Sequence, residues 1–467
     1  MTPRVAVVGG GIAGLATAFR LHRAGAEPVV FERAPTHGGV IAPPVTVGDL
    51  TLEPGPDSLA ARKPWGVELC RELGLTLVPP GASGAFLWTD GGLVPYLRGA
   101  AFGIPGDVGD VLRWPGLSRR GRVRALADLL KRKRRDGIEE TLGELLRRRL
   151  GDEATDRAIA PLLAGLHAGD ADRLSAEATF PELLAWESSQ GSLIRGAQAA
   201  MRMADRSTPG PLFLRPEMGM RALVDALAEV LADRLRAGVE VTAVSEGTIE
   251  LAGGAAEPVD AVVLACGAQT SATLLGAAAP PGLTGIGAVS TGVVFLVYPP
   301  GTASALPDGT GFVVPRGAAP MTAATFVSRK WPDERFGDRA VIRCYVGGAG
   351  EEDVLDAPDD EIVAACARHL SAVLDLPAPA ASHVHRWWGA MPQYERGHRR
   401  RVEEIRASLP AGIFVVGSAY DGVGVSDLAR AAEETAEHVL AHTGASRSGR
   451  GPRMGPRRGP RMGREPA

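Results

Sequence analysis

The stretch that most constrains this chain is residues 4–32, in which a short apolar strand runs directly into a glycine-rich turn. The turn has the spacing Gly9-x-Gly11-x-x-Gly14, and a helical pattern and a second apolar strand follow it. In that context the glycines allow a tight turn, close approach of the backbone to a pyrophosphate, and close packing of the helix on the strand. The pyrophosphate would lie at the helix N-terminus, where unpaired N–H groups converge. The stretch therefore predicts a dinucleotide-binding site.

The residue that ends the second strand narrows the choice of dinucleotide. Glu32 stands 18 residues after Gly14, where an acid accepts hydrogen bonds from the adenosine ribose hydroxyls. The same carboxylate would repel a ribose 2′-phosphate, which disfavours NADP. This motif leaves FAD and NAD open, and the alternative without a cofactor is a glycine-rich turn in some other α/β unit.

Composition and cysteine spacing bound the class of protein. A chain of 467 residues is long for one domain, so we expect two or three. Hydrophobic residues at 45% and charged residues at 22% are ordinary for a globular protein. The four cysteines are widely spaced, with no Cys-x-x-Cys, so we expect neither a metal site nor a dithiol redox motif. No apolar run reaches the ~18 residues that span a bilayer, and no signal peptide precedes the first strand, so we expect a cytoplasmic protein.

Two segments are strongly basic. Residues 445–467 repeat Gly-Pro-Arg and are predicted to be a disordered tail, which either touches anionic lipid or nucleic acid or has no partner. Residues 117–150 have a helical pattern whose opposite faces are apolar and basic. Its apolar positions, which we expect to be buried, are Val123, Leu126, Leu129 and Leu130. The basic face is expected in solvent or on anionic lipid, because no aromatic residues are interleaved for stacking on nucleic-acid bases.

Beyond the fingerprint, the pattern alternates between further α/β units and a separate sheet. Helices are predicted over 220–237 and 426–442, and strands over 239–244, 261–265 and 413–418. Apolar strands at 288–298 and 340–346 predict a separate mixed or antiparallel sheet. We therefore expect an α/β fold, α+β overall, whose nucleotide domain is assembled from three separated segments.

Several motifs outside the fingerprint occur together in one family. They are GPDS at 55–58, ARKPWGVELCRELGL at 61–75, PLLAGLHAGDADRLSAEATFPEL at 161–183, GFVVPR at 311–316, TFVSRKWPD at 325–333, RCYVG at 343–347, WWGAMPQYERGH at 387–398 and GSAYDGVGVSDL at 417–428. With these motifs, the chain resembles the FAD-dependent protoporphyrinogen and coproporphyrinogen oxidases of haem biosynthesis over about residues 4–442. The wider flavin amine oxidase superfamily shares the nucleotide motif but lacks AGD-x-x-x-LS and MPQY-x-x-GH.

The resemblance implies a discontinuous Rossmann-like FAD domain, a mixed-sheet substrate domain, and a helical domain of the kind that often faces a membrane. On this basis we assign the FAD domain to 1–62, 210–282 and 386–444, the substrate domain to 63–85, 170–209 and 283–385, the helical domain to 86–169, and the disordered tail to 445–467.

The resemblance also implies FAD as the cofactor and carries site residues over to matching positions. Those expected to contact FAD are Gly9, Gly10, Gly11, Ile12, Ala13, Gly14, Glu32, Arg33, Val40, Gly55, Pro56, Asp57, Ser58, Val241, Trp387, Val423, Gly424 and Val425. Those expected to lie near the substrate are Arg62, Lys63, Leu166, His167, Ala168 and Gly169. The cations Arg62 and Lys63 are candidates for pairing with substrate propionates, with a surface or capping role as the alternative. No catalytic residue is assigned.

Three positions depart from the family pattern. His167 stands where an aromatic residue is usual, Val40 where a basic residue is common, and Ser426 where a proline is usual. His167 could accept a proton near the substrate, although a packing role is favoured. Trp387 is interpreted as a flavin contact, with a place in the core as the alternative.

The implied reaction is the six-electron oxidation of a porphyrinogen to a porphyrin. It would proceed in three two-electron steps in which hydride passes to the flavin and O₂ reoxidises the flavin to give H₂O₂. The protein would mainly bind, orient and exclude water, which fits a sequence without an evident acid–base or nucleophile constellation.

The substrate and the class of protein both stay open at this point. Coproporphyrinogen III is favoured over protoporphyrinogen IX as substrate, because the chain lacks a targeting segment and resembles enzymes of monoderm bacteria. The sequence also allows an amine oxidase or carotenoid desaturase, or a non-catalytic flavin- or haem-binding protein. The expected partners are the porphyrinogen and O₂. Transient contact with downstream haem-pathway enzymes and peripheral contact with a membrane are further options, and we expect no binding to nucleic acid.

Overall fold

The nucleotide-binding half of the molecule is built on a five-stranded sheet whose strands are all parallel. The structure is a computed structural model, and it describes residues 2–89, 92–97, 99–134, 137–206 and 210–444. Across the sheet the strands are ordered Leu235–Ala237, Glu27–Glu32, Arg4–Val8, Ala261–Leu264 and Ile413–Val415. The central strands are almost wholly apolar because both faces of the sheet are covered.

Helix Ile12–Arg23 packs on one face of this sheet, between Arg221–Leu231 and Val425–His442. Its small residues allow this close approach, since Ala16 and Ala18 are buried in the same apolar core. A second apolar core covers the opposite face. It includes residues of the strands Val241–Ser245 and Thr248–Leu251 and of the helices Ala268–Leu275 and His398–Ser408.

The predicted helix over 220–237 is shorter in the structure. It spans Arg221–Leu231, and Leu235–Ala237 instead forms an edge strand paired with residues 30–32. Hydrogen bonds along the sheet edge therefore outweighed the helical pattern of this short segment. The other predicted α/β elements are confirmed in type, with ends shifted by a few residues, although Val241–Ser245 pairs in a small antiparallel sheet with Thr248–Leu251.

The second large unit is a seven-stranded mixed sheet. Its order is Ala381–Pro392, Ala288–Val297, Val341–Gly347, Ala323–Phe326, Gly311–Val313, Phe86–Thr89 and Gly92–Pro95. The predicted strands at 288–298 and 340–346 are confirmed. Helix Asp359–Leu374 packs on one face of this sheet, and the hairpin of Val45–Val47 and Leu50–Leu52 packs on the other.

This sheet crosses two of the boundaries assigned from the sequence. The strands at 86–89 and 92–95 belong to it, although they lie inside the segment 86–169 that was assigned to the helical domain. The strand Ala381–Pro392 continues past the boundary placed at residue 386, because it pairs with residues 288–297 along nearly its whole length. Cross-strand hydrogen bonding, which a linear pattern does not show, sets these edges.

The third unit is a cluster of helices around its own apolar core. Its helical segments are Val108–Arg113, Arg119–Leu126, Leu142–Leu150, Asp152–Ala154, Thr155–Ile159 (π-helical), Ala160–Gly165, Ala176–Thr179, Pro181–Gln190 and Leu193–Arg206. The last three were assigned to the substrate domain within 170–209, but Ala176, Leu183 and Leu193 are buried in this helical core.

The predicted buried face of 117–150 is wrong at two of its four positions. Val123 is 67% exposed and Leu130 is 88% exposed, whereas Leu126 and Leu129 are partly buried. The buried residues of helix Arg119–Leu126 are Gly121 and Ala125, so its core-facing side is not the one that carries Val123, and a 3₁₀ turn at Ala127–Leu129 follows the helix before Leu130. In the same region the charged residue Arg149 is fully buried, and its guanidinium pairs with the buried Asp128 at 2.5 Å.

The remaining regular elements are short or lie between the three units. They are the strands Leu59–Ala60, Leu77–Val78, Ala100–Ala101, Ile104–Pro105, Phe213–Pro216 and Ala256–Pro258, and the helices Pro64–Glu72 and Val327–Lys330. Among the residues that the structure describes, no helix is long and apolar enough to cross a bilayer, and no three His, Cys, Asp or Glu side chains cluster as metal ligands would. The tail predicted over 445–467 lies outside the described residues.

Candidate active site

The fingerprint glycines form a turn that only glycine can build at two positions. Gly9 has a φ of 113°, in the region that side chains disfavour, and its N–H donates to the carbonyl of Phe31 at 2.8 Å. A Cβ on Gly14 would collide with the carbonyl oxygen of Gly9. The turn therefore brings the start of the helix directly onto the first strand.

The N-terminus of helix Ile12–Arg23 is suited to an anionic group. Its N-cap is Gly11, which offers no side-chain hydrogen bond, and its first turn holds no acidic residue. The first N–H groups of a helix lack partners within the helix, so they and the helix dipole favour a phosphate at this point. This cradle fits the pyrophosphate of a dinucleotide.

Glu32 lies beside this cradle, as the motif predicts. One carboxylate oxygen accepts the Gly10 N–H at 2.8 Å, and the other accepts the Ala34 N–H at 2.8 Å. The neighbouring Arg33 is exposed. Val241 is buried in the same apolar core as Phe31, the residue that precedes Glu32 in the second strand.

A second loop approaches the fingerprint from residues 37–41. The Gly38 N–H donates to the Gly10 carbonyl at 2.8 Å, and the guanidinium of Arg221 donates to the carbonyls of His37 and Ile41 at 2.7 and 3.2 Å. Val40, at the tip of this loop, is 41% exposed. Arg221 was not recognised in the sequence, because only the fold brings the start of its helix to this loop.

Glu53 ties the next loop to the same helix. Its carboxylate accepts the N–H groups of Met220 at 2.9 Å and Arg221 at 2.8 Å. Burial raises the pKa of Glu53, although these two N–H donors oppose that shift. The carboxylate thus caps the N-terminus of helix Arg221–Leu231. Because Glu53 lies 167 residues before Met220 in the chain, no local pattern could reveal this cap.

The predicted flavin-side loop, residues 55–58, is held by two cations from the seven-stranded sheet region. Arg343 is buried and donates to the carbonyls of Pro54 and Gly55 at 2.7 and 2.6 Å. Lys330 pairs with Asp57 at 2.7 Å. Burial alone would raise the pKa of Asp57, but Lys330 and Arg343 outweigh it and lower that pKa to about 2. The Ser58 hydroxyl also donates to Asp57, at 2.8 Å.

The C-terminal turn of the site is fixed by an ion pair. Helix Val425–His442 has Gly424 as its N-cap and Asp427 in its first turn. Both carboxylate oxygens of Asp427 lie 2.7 Å from the Nζ of Lys63. Lys63, predicted to be near the substrate, is therefore paired with the predicted flavin turn at 423–425, while the adjacent Arg62 is exposed.

The segment 166–169, also predicted to be near the substrate, is a strained loop. Ala168 has a φ of 45°, and the carbonyl of Ala168 accepts the Ala349 N–H at 2.8 Å. The side-chain amide of Gln393 donates to the carbonyl of His167 at 3.0 Å. Leu166 is 56% exposed while His167 is buried, so the loop presents an apolar side chain outwards. A non-glycine residue held at positive φ is typical of functional sites.

His167 lies among aromatic rings. Its ring centroid is 5.7 Å from Phe180 in an edge-on arrangement and 5.5 Å from Tyr394. Burial, with a contribution from nearby Lys63, lowers the pKa of His167 to about 4, so the imidazole is neutral near pH 7.

Trp387 lies on the seven-stranded sheet. Its backbone is paired with Thr291, and its ring centroid is 4.3 Å from that of His385.

Taken together, these contacts show that the fold brings together the fingerprint, the 55–58 loop, the C-terminal turn and the 166–169 loop. It adds Glu53, Arg221 and Arg343, to which the sequence assigned no role, although Arg343 begins the RCYVG motif.

Comparison with known proteins agrees with this arrangement. The model of the flavin containing amine oxidoreductase family matches residues 12–440. The coproporphyrinogen III oxidase of Bacillus subtilis is 31% identical over 447 residues, covering 91% of this chain and 95% of that protein. The protein of that name from Mycobacterium tuberculosis H37Rv is 32% identical over 458 residues, covering 94% and 98%. The crystal structure of a candidate protoporphyrinogen oxidase from Exiguobacterium sp. 255-15 aligns with a TM-score of 0.82 and 32% identity, covering 94% of this chain and 99% of that one.

These relationships extend over nearly the whole described chain, and the family match over residues 12–440 includes the C-terminal turn. They settle the choice of dinucleotide that the fingerprint left open, in favour of FAD. The chain is an FAD-dependent oxidoreductase and belongs to the flavin-containing amine oxidoreductase family.

Proposed function

We propose that this chain oxidises coproporphyrinogen III to coproporphyrin III, with O₂ as the final electron acceptor. The substrate loses six electrons in three two-electron steps. In each step one hydride and one proton leave the substrate, and one O₂ is reduced to one H₂O₂. FAD supplies the two-electron acceptor, and the chain binds the substrate, orients it and excludes water.

The observation that carries this proposal is the similarity to curated coproporphyrinogen III oxidases over more than 90% of the chain. The geometry supports it, because the predicted substrate and flavin segments are bonded to one another. Lys63 pairs with Asp427 at the start of the C-terminal helix, and the adjacent residues Gln393 and Tyr394 bond the loop 166–169 and the turn at 418–422. A flat tetrapyrrole needs a binding site with an apolar surface and a few cations, and Leu166 and Arg62 are both exposed.

We propose separate roles for the two cations. Arg62 is exposed and is the candidate partner for a substrate propionate. Lys63 already holds Asp427, so its role is to fix the flavin turn and to keep His167 neutral. A neutral His167 can accept a proton that leaves the substrate, and a packing role remains the alternative.

The flavin contacts proposed from the sequence remain proposals. They are Gly9, Gly10, Gly11, Ile12, Ala13 and Gly14 at the pyrophosphate, Glu32 at the ribose with Arg33 and Val40 as neighbouring contacts, Val241 at the adenine end, and Gly55, Pro56, Asp57, Ser58, Trp387, Val423, Gly424 and Val425 toward the isoalloxazine. The cradle at Gly11 and the anchored 55–58 loop support the first and last of these groups.

The test is turnover of both porphyrinogens by the purified FAD-loaded protein. Faster formation of coproporphyrin III, with three H₂O₂ per porphyrin, is the expected result. Protoporphyrinogen IX is the second candidate substrate, because one structural neighbour is a candidate protoporphyrinogen oxidase. Faster oxidation of protoporphyrinogen IX would replace the first choice, and oxidation of neither compound would reject the proposal.

We also propose that the enzyme works in the cytoplasm, in transient contact with an anionic membrane and with the enzyme that consumes its product. Exposed Val123 and Leu130 lie on a basic part of the helical unit, with Arg119 and Arg120 exposed nearby. Apolar side chains flanked by cations are suited to a lipid surface. Co-sedimentation with phosphatidylglycerol vesicles, lost in a Val123→Ser/Leu130→Ser variant and at high salt, is the expected outcome.

A further inference from the structure

Tyr394 joins two parts of the site that are far apart in the chain. It is 3% exposed, and its hydroxyl donates to the carbonyl of Ser418 and accepts the Gly422 N–H at 3.0 Å. Both partners belong to the turn that leads into the predicted flavin contacts at 423–425. Gly422 has a φ of 115°, so its position in the turn depends on such anchoring rather than on regular secondary structure.

The same residue is bound to the substrate side. Its ring centroid lies 5.5 Å from His167, and its ring stacks on His398 at 4.1 Å with the planes 14° apart. Its carbonyl accepts the Ser175 N–H at 2.7 Å, while the adjacent Gln393 donates to the carbonyl of His167. Tyr394 thus packs on the loop 166–169 through His167, and the adjacent Gln393 bonds the same loop.

We propose that Tyr394 is a positioning residue that fixes the flavin turn, residues 418–425, relative to the substrate loop, residues 166–169. The proposal rests on the proposed flavin and porphyrinogen site. The hydroxyl uses both its donor and its acceptor on the turn, so its loss would leave a carbonyl and an N–H in this enclosed region without their partner. The ring would still fill the space beside His167, so the two connections can be separated by experiment.

The test compares Tyr394→Phe with Tyr96→Phe. Tyr96 is a matched control because its hydroxyl also donates to a carbonyl inside the protein, that of Ala158 at 3.2 Å, but it lies in the helical unit. The measurements are FAD affinity from reconstitution of the apoprotein, the absorption spectrum of the bound flavin, KM and kcat, and the urea midpoint.

For Tyr394→Phe we expect FAD affinity to fall about tenfold, the loss of about 1.4 kcal/mol that one or two hydrogen bonds would account for. The flavin spectrum should shift, and kcat should fall about tenfold with KM changed less than about threefold. For Tyr96→Phe, FAD affinity and kcat should stay within about twofold of the unsubstituted protein, whatever the change in urea midpoint.

The proposal is overturned if Tyr394→Phe keeps FAD affinity, flavin spectrum and kcat within about twofold of the unsubstituted protein, or if both variants change them equally. FAD affinity and spectrum need no substrate, so they decide the matter even if neither porphyrinogen is oxidised. If Tyr394→Phe does not fold, His398→Ala removes the stacking partner and leaves the hydroxyl. A loss of FAD affinity of about threefold is then expected, and no loss overturns the proposal.

Discussion

Lowering the pH from about 7 to about 5 is expected to destabilise the folded protein through two buried imidazoles. Burial, assisted by nearby positive charge, lowers the pKa of both His167 and His398 from the usual 6.5 to about 4. Between about pH 6.5 and 4, therefore, these two imidazoles are protonated in the unfolded chain and neutral in the folded chain. The free energy of unfolding falls as the pH falls through this window. Integrated from pH 7 to 5, each imidazole costs about 2 kcal/mol, or about 4 kcal/mol for the pair.

The assay is urea unfolding of the FAD-loaded protein at a series of pH values, followed by tryptophan fluorescence. A His167→Phe/His398→Phe variant has an aromatic ring at both positions but no group there that binds a proton. Between pH 7 and 5 its free energy of unfolding should fall by about 4 kcal/mol less than that of the unsubstituted protein. His438→Gln is the control, because His438 is exposed. If the double variant loses as much stability as the unsubstituted protein, the reasoning about these two side chains is refuted.

Three further substitutions test other parts of the structure. Gly14→Val places a side chain against the backbone across the fingerprint turn, so gel-filtered protein should lose its flavin absorbance; retained flavin would contradict the proposed cradle. Arg343→Met leaves the two carbonyls of residues 54–55 without their donor, so the free energy of unfolding should drop by about 2–4 kcal/mol. Urea midpoints measure this loss, and Lys133→Met on the surface is the control. Arg149→Met removes the ion-pair partner of the buried Asp128 carboxylate. A loss of about 3–5 kcal/mol with an unchanged flavin spectrum is expected, and a loss below about 1 kcal/mol would show that the pair is not a structural requirement.

Much of the nucleotide-binding half could be predicted from the sequence, because its signals are local. The Gly9-to-Gly14 turn, the helix after it and Glu32 all follow within 32 residues, and each has a direct steric or hydrogen-bonding reason. The long apolar strand at 288–297 was equally clear, since a run of that kind fits only a buried strand.

The wrong strand and boundary predictions have a common cause, which is that the partners of these segments are distant in sequence. The strand at 235–237 exists because residues 30–32 offer a sheet edge, and the strands at 86–95 exist because residues 311–313 do. Val123 and Leu130 were predicted as core positions from their spacing alone, but Gly121 and Ala125 are the buried residues of that helix, and the helix ends before Leu130. A periodic pattern predicts which face is apolar only while one helix continues.

The sequence by itself determined that this chain folds a dinucleotide cradle, because glycine spacing and one acid are local requirements of backbone geometry, and its family-specific motifs indicated FAD as the dinucleotide. Only the tertiary structure decided what surrounds that cradle. Lys63 reaches Asp427, Arg343 reaches the 54–55 carbonyls and Tyr394 reaches the turn at 418–422, each across 24 or more residues of chain. Such buried charges and hydroxyls are stable only when the fold supplies their partners, so their roles cannot be read before the fold is known.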